Sequence, residues 1–187
     1  MDKGEKHGPW RTLSSETVHE SNWIRVDYHD VIIPSGAPGA YSTVHFKNLA
    51  IGVVPLDKDN NTYLVGQYRY PIKDYSWEIP EGGGPRDIPP IDSAKRELKE
   101  ETGIIAQEWE ILYQSHLSNS ASDEYAITYL ARDLEFGEAE PEPDEDIQVK
   151  KVSLEEFIRM VNDGEITDSL SMMAAMRLEV MLLKGEL

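Results

Sequence analysis

The stretch that most constrains this chain runs from Trp77 to Ile104, W-E-I-P-E-G-G-G-P-R-D-I-P-P-I-D-S-A-K-R-E-L-K-E-E-T-G-I. Its second half reads as a helix. Pro89-Pro90 can supply a first-turn proline, Asp92 puts negative charge near the positive end, and Gly103 is a natural residue just past the last turn. At about 100° per residue, Glu97, Glu100 and Glu101 fall within roughly a 100° arc, beside an apolar stripe of Ala94 and Leu98. Like charges so placed cost a helix roughly 0.2–0.5 kcal/mol per pair, a repulsion that a bound divalent cation would convert into ligation. Oxygen ligands with no histidine or cysteine nearby favour Mg²⁺ or Mn²⁺ over zinc. An acidic helix face is also an ordinary solvated surface, and spacing alone leaves both readings open. Just before the helix, Gly82-Gly83-Gly84-Pro85 lets backbone approach a ligand closely, which makes Gly82 and Gly83 candidate substrate-binding positions.

The whole string resembles the Nudix box, G-x5-E-x7-R-E-U-x-E-E-x-G-U with U aliphatic. Gly82 matches the opening glycine, Arg96-Glu97-Leu98 the R-E-U, Glu100-Glu101 the E-E, and Gly103-Ile104 the ending. The one departure is Ile88, which stands where the pattern has its first glutamate; Asp87 and Asp92 are the neighbouring acids that could replace it. The resemblance implies that Glu97, Glu100 and Glu101 bind the metal and that Arg96 orients them.

Composition narrows the alternatives. The chain has 187 residues and is 40% hydrophobic, enough for one domain with a real core plus a modest extension. It contains no cysteine, so disulfides, thiol nucleophiles and Cys-type zinc sites are excluded. No apolar run approaches the roughly 20 residues of a membrane helix. The charged start, Met1 to Lys6, lacks an apolar segment behind it, so a cytoplasmic location is expected. A formal charge of −17 argues against a nucleic-acid binder and requires metal ions and a few arginines to attract an anionic small substrate.

Along the chain, residues 1–20 carry little pattern and are expected to be partly mobile. Ile24 to Ile33 and Tyr41 to Phe46 read as a hairpin about a Pro-Ser-Gly turn. Leu49 to Leu56 and Thr62 to Tyr68 form a second hairpin, which delivers Arg69 at its end, in G-Q-Y-R. A strand end feeding the glycine-rich stretch is a good place for an arginine that clamps phosphate. Glu78 is an acid inside an otherwise apolar segment. Trp109 to His116 and Tyr125 to Arg132 read as strands, and Leu134 to Asp146 as an acidic, proline-bearing loop. Ser153 with Glu156 is a capping box that opens a helix to about Asn162, and a further helix runs from Asp168 to about Lys184.

This order of elements predicts an α+β fold, a mixed sheet sandwiched between helices, with an antiparallel β extension at the N-terminus. It is similar to the Nudix fold, and from Trp10 onward the chain resembles the ADP-ribose and nucleoside-diphosphate-sugar branch. That likeness implies a β-rich extension over residues 1–47 that serves dimerisation and the nucleoside pocket, and a hydrolase domain over 48–187. It further implies a homodimer, hydrolysis of a pyrophosphate with Mg²⁺, contact of Arg69 and Glu78 with substrate, and a general base at Glu145 in E-D-I-x-V. The alternatives are a Nudix hydrolase of dinucleoside polyphosphates, nucleoside triphosphates or coenzyme A, and a non-catalytic nucleotide-sensing module.

Overall fold

The computed structural model describes residues 4–140 and 146–187. The chain divides into two compact units, one of residues up to 48 with 116–124, the other of 49–115 with 125–187.

The first unit is an antiparallel sheet. Strands β1 (Glu5–His7), β2 (Trp10–Glu20), β3 (Ile24–Ile32) and β4 (Pro38–Phe46) lie in the order β1-β2-β3-β4. The expectation of a partly mobile start is therefore corrected from Glu5 onward. Strand β2 escaped notice because it is mostly exposed and its register with β3 shifts between Thr12 and Ser14 and again between Thr17 and His19. Each shift breaks the period of two on which strand recognition depends. Residues 116–124 join this unit: the Val44 amide donates to Ala121 O at 2.8 Å and the Phe46 amide to Asp123 Oδ1 at 2.9 Å.

The second unit holds β5 (Asn48–Pro55), β6 (Asn61–Arg69), β7 (Asp74–Glu78), β8 (Glu81–Pro85), helix α1 (Pro90–Thr102), β9 (Ile104–His116), β10 (Tyr125–Phe136), β11 (Gln148–Ser153), α2 (Leu154–Asn162) and α3 (Ser169–Lys184). Two sheets result, β8-β5-β10-β9 and β11-β6-β7. β10 runs parallel to β5, whereas β6 is antiparallel to both its neighbours, so the architecture is mixed. Alternate side chains leave the two faces of a strand. Ile51 and Val53 of β5, with Ile127, Tyr129 and Ala131 of β10, pack in one cluster with Ala94 and Leu98 of α1. On the opposite face, a Cβ on Gly52 would meet Ile79 and Leu170 of α3 at 3.0 Å. The sheet thus lies between α1 and α3, the expected sandwich.

The helix ends follow local chemistry. Pro90 opens α1, and Gly103, at φ 71°, turns the chain out while its amide donates to Lys99 O at 2.8 Å. Ser153 Oγ accepts from the Glu156 amide at 3.1 Å at the head of α2, and Asp168 accepts from the Ser171 amide at 2.8 Å at the head of α3. The glycine-rich stretch differs from its composition: Glu81–Pro85 is the edge strand β8, not a loop. An edge position tolerates glycine because only one side of the strand must pair. Among the described residues, no helix is long and apolar enough to cross a membrane.

Candidate active site

Helix α1 turns its acids inward. Glu97 is 7% exposed and Glu101 1%, with Glu100 half-buried, so this is no solvated face. Ala94 and Leu98 seat the helix on the sheet, and the carboxylates next to that stripe are carried under β8. Space there exists only because Gly82 lacks a side chain, since a Cβ would lie 2.3 Å from the Glu97 carboxylate. The Glu81 amide donates to Glu101 Oε2 at 3.0 Å.

Arg96 lies over two of the three acids. It donates to Glu97 Oε1 at 2.6 Å, to Glu100 Oε2 at 2.7 Å and to Gly83 O at 3.0 Å. These contacts position the guanidinium although Ile88, 42% exposed, stands where the box pattern has a glutamate.

Arg69 leaves the end of β6 toward β7. Its Nε donates to both oxygens of Glu78, at 3.0 and 3.1 Å, and an η nitrogen donates to Glu81 Oε1 at 3.1 Å. Glu78, 3% exposed, is fully committed to this pairing. Burial works to lower the Arg69 pKa, but the hydrogen bond and charge of Glu78, with the charges of Glu81 and Glu101, outweigh it and raise it. The guanidinium is therefore permanently charged, and about a third of its side chain remains open to solvent.

Two acids that sequence reasoning missed complete the cluster. Burial pushes the Glu81 carboxyl well above its ordinary value, and the charges of Asp168 and Glu78 push the same way, against Arg69. Asp168 is fixed at the head of α3 by Ser171, whose hydroxyl also accepts from the Ile79 amide at 2.9 Å. The available signal for Glu81 was an acid between Pro80 and three glycines; Asp168 read only as the start of a helix.

Six of the sequence candidates, Gly82, Gly83, Arg96, Glu97, Glu100 and Glu101, come together directly. Arg69 and Glu78 join them through Glu81. Glu145 lies outside the described residues, as do Glu142 and Asp144. The chain on either side of them is anchored at the cluster's own elements: the Gly137 amide donates to Gly103 O and the Glu140 amide to Glu100 O, both at 2.9 Å, while Gln148 of β11 pairs with Gly66 of β6.

The donor set fits a hard divalent cation. Arg69 and Arg96 face Glu78, Glu81, Glu97, Glu100 and Glu101, so negative charge exceeds positive in a partly buried, all-oxygen cluster. Carboxylates in that state call for magnesium-like ions.

Residues 46–171 match the NUDIX domain family, and residues 10–44 match the nucleoside diphosphate sugar hydrolase N-terminal domain. The chain belongs to the Nudix family. Nudix hydrolases generally use divalent metals, in keeping with the oxygen cluster on α1. Among its relatives is an ADP-ribose pyrophosphatase of Mycobacterium tuberculosis, 33% identical over 87% of this Nudix chain and 79% of that protein. A methanol dehydrogenase activator of Bacillus methanolicus is 27% identical over 91% of the chain and 92% of its own length. A solved structure described as an ADP compounds hydrolase superposes over 100% of this chain and 98% of its own, with a TM-score of 0.84 at 21% identity, and so shares the fold.

Proposed function

We propose that this Nudix pyrophosphohydrolase cleaves the pyrophosphate of a nucleoside diphosphate sugar, of the ADP-ribose, GDP-mannose or UDP-glucose type, to a nucleoside monophosphate and a sugar phosphate. The observation that carries the reading is the joining of Arg69, through Glu81, to the carboxylates of α1. A charged fork for phosphate and a metal-binding cluster are thereby built as one site. The match of residues 10–44 to a nucleoside diphosphate sugar hydrolase domain and the ADP-ribose pyrophosphatase relative support the sugar-nucleotide class.

In this reading Glu97, Glu100 and Glu101 hold Mg²⁺ (or Mn²⁺), which when bound supplies positive charge to the phosphate oxygens and acidifies water. Arg96 keeps Glu97 and Glu100 in place, and the Glu81 amide does the same for Glu101. The solvent-facing edge of Arg69, itself held by Glu78, grips substrate phosphate. Gly82 and Gly83 let the backbone of β8 approach the substrate. Glu145 takes the proton of the attacking water; the water oxygen bonds to phosphorus as the bridging oxygen departs with the other phosphate. Residues 1–47 form a dimerisation and nucleoside-pocket extension and 48–187 the hydrolase domain of a cytoplasmic homodimer. The exposed Leu13, Val18 and Trp23 in that extension favour such an interface.

The test is phosphate release, coupled through phosphatase, across nucleotide sugars, nucleoside triphosphates, dinucleoside polyphosphates and coenzyme A with Mg²⁺. A nucleotide sugar should lead in kcat/KM. A tenfold lead for ATP or a dinucleoside tetraphosphate would reject the assignment.

A further inference from the structure

The first unit carries a polar cluster that the hydrolytic reading does not use. Residues opposite each other in an antiparallel sheet share a face, as do residues two apart on one strand. Thr17 of β2 pairs with Asp27 of β3, Ser15 with His29, and Asp27 in turn with Thr43 of β4. His45 lies two residues beyond Thr43 on that face. One ligand atom from each of Asp27, His29 and His45 lies within 4.8 Å of the others.

Both imidazoles are aimed from behind. His45 Nδ1 is 2.7 Å from Asp123 Oδ2, and Asp123 is itself held by the Phe46 amide at 2.9 Å. A carboxylate only accepts, so Nδ1 carries a proton, which leaves Nε2 as the nitrogen that can bind an ion. Nε2 faces Asp27 Oδ2 at 3.4 Å. His29 Nδ1 is fixed by Ser15 Oγ at 2.8 Å, and its Nε2 turns to the same centre. Thr43 Oγ1 lies between the rings, 2.8 Å from His29 Nε2 and 2.9 Å from His45 Nε2. Asp27 is 8% exposed; it accepts from Thr17 at 2.7 Å through Oδ1 and from Arg25 Nε at 3.0 Å through Oδ2. A second lone pair of Oδ2 remains for the centre.

We propose that Asp27, His29 and His45 form a binding site for a transition-metal ion of the zinc class, on residues wholly different from the carboxylates of α1. A tetrahedral ion with bonds of about 2.0–2.1 Å sets neighbouring ligand atoms ~3.3 Å apart, close to the separation of His45 Nε2 and Asp27 Oδ2. A ligand atom of His29 lies within 4.8 Å of both, and water or Thr43 takes the fourth position. Imidazole donors select this metal class over magnesium. The Asp123–His45 pair is the outer carboxylate that orients a metal-binding histidine and strengthens its basicity. Since Asp123 comes from the 116–124 segment, the ion would tie that segment to β3 and β4.

The experiment uses untagged chain, stripped with chelator and dialysed against Zn²⁺ in excess Mg²⁺, with bound zinc counted and Co²⁺ absorption recorded as a report of tetrahedral nitrogen ligation. Wild type should bind about one equivalent that His29→Ala with His45→Ala removes. Asp123→Asn should weaken binding roughly 10–100-fold. His19→Ala, exposed on β2, should change nothing. Circular dichroism checks that the double variant folds; if it does not, Asp123→Asn decides. Zinc content unaltered in a folded double variant, unaltered affinity in Asp123→Asn, or no zinc on wild type each overturns the site.

Discussion

Gly82 is glycine because the Glu97 carboxylate occupies the place where a side chain would begin, 2.3 Å from an ideal Cβ. Glu97 in turn is held by Arg96, and Arg96 by Gly83 O and Glu100. Gly82→Ala should therefore push Glu97 off its position without removing any functional group. Its kcat should fall at least tenfold while the melting temperature moves by only a few degrees, because the clash is with the end of a flexible side chain at the sheet edge. Turnover equal to wild type in a steady-state assay would mean that the position of Glu97 is not critical. At this scale the sequence was most informative where spacing on a helix dictates geometry: Glu97, Glu100 and Glu101 had to share one arc. It could not show that two of them are buried, since burial depends on β8 lying across them. Glu81 was illegible for the same reason, its part being set by Arg69, Glu101 and Asp168 from three other elements.

Among the elements, β10 and β11 bracket the segment that carries Glu145. The chain just after β10 is tied to the site by Gly137 on Gly103 and Glu140 on Glu100, and β11 is tied to it by Gln148 on Gly66. A general base contributes roughly 10²–10⁴-fold. Glu145→Gln should lower kcat by at least tens-fold with metal affinity nearly unchanged, and Glu142→Gln, Asp144→Asn and Asp146→Asn should cost far less. If one of those three proves the severe variant, the base is that residue instead. The turn from β5 to β6 makes a different prediction. Burial pushes the Asp57 carboxyl up, but Lys151, the side chain and amide of Asn61 and the amide of Asp59 outweigh it and bring it down to about 2. A depressed carboxyl stabilises the fold above its unfolded value and loses that contribution as pH falls through the folded one. Asp57→Asn should thus cost about 1 kcal/mol at pH 7, after screening at the turn. Urea unfolding should show the gap to wild type closing between about pH 4 and pH 2; a pH-independent gap would contradict this. The β3–β4 hairpin and helices α1, α2 and α3 were legible because alternation, capping residues and helical spacing are local. Strand β2 was not, since an exposed strand with two register shifts needs no alternation, and β8 was not, since three glycines carry no strand signal. The expected hairpin of Leu49–Leu56 with Thr62–Tyr68 is corrected: β5 and β6 lie in different sheets, joined by the Leu56–Thr62 bridge, because β5 pairs with β10 and β6 with β11, far along the chain.

For the whole molecule, a formal charge of −17 leaves the attraction of an anionic nucleotide to bound cations and to Arg69 and Arg96. Activity should accordingly vanish with chelator and return with Mg²⁺. The homodimer is tested by sedimentation equilibrium at micromolar concentration, where about twice the 21.2 kDa chain mass is expected and a monomer would remove the dimer from the account. The central claim, that the buried acids of α1 hold the catalytic metal for nucleotide-sugar hydrolysis, is tested most directly by a Mg²⁺ titration of ADP-ribose turnover in wild type and Glu101→Gln. The substitution keeps shape and leaves the carbonyl to accept from Glu81, so the fold should persist. Turnover should depend strictly on Mg²⁺ and drop by about a hundredfold or more in Glu101→Gln at saturating metal. Turnover within a few-fold of wild type, in a variant that melts normally, would contradict the claim.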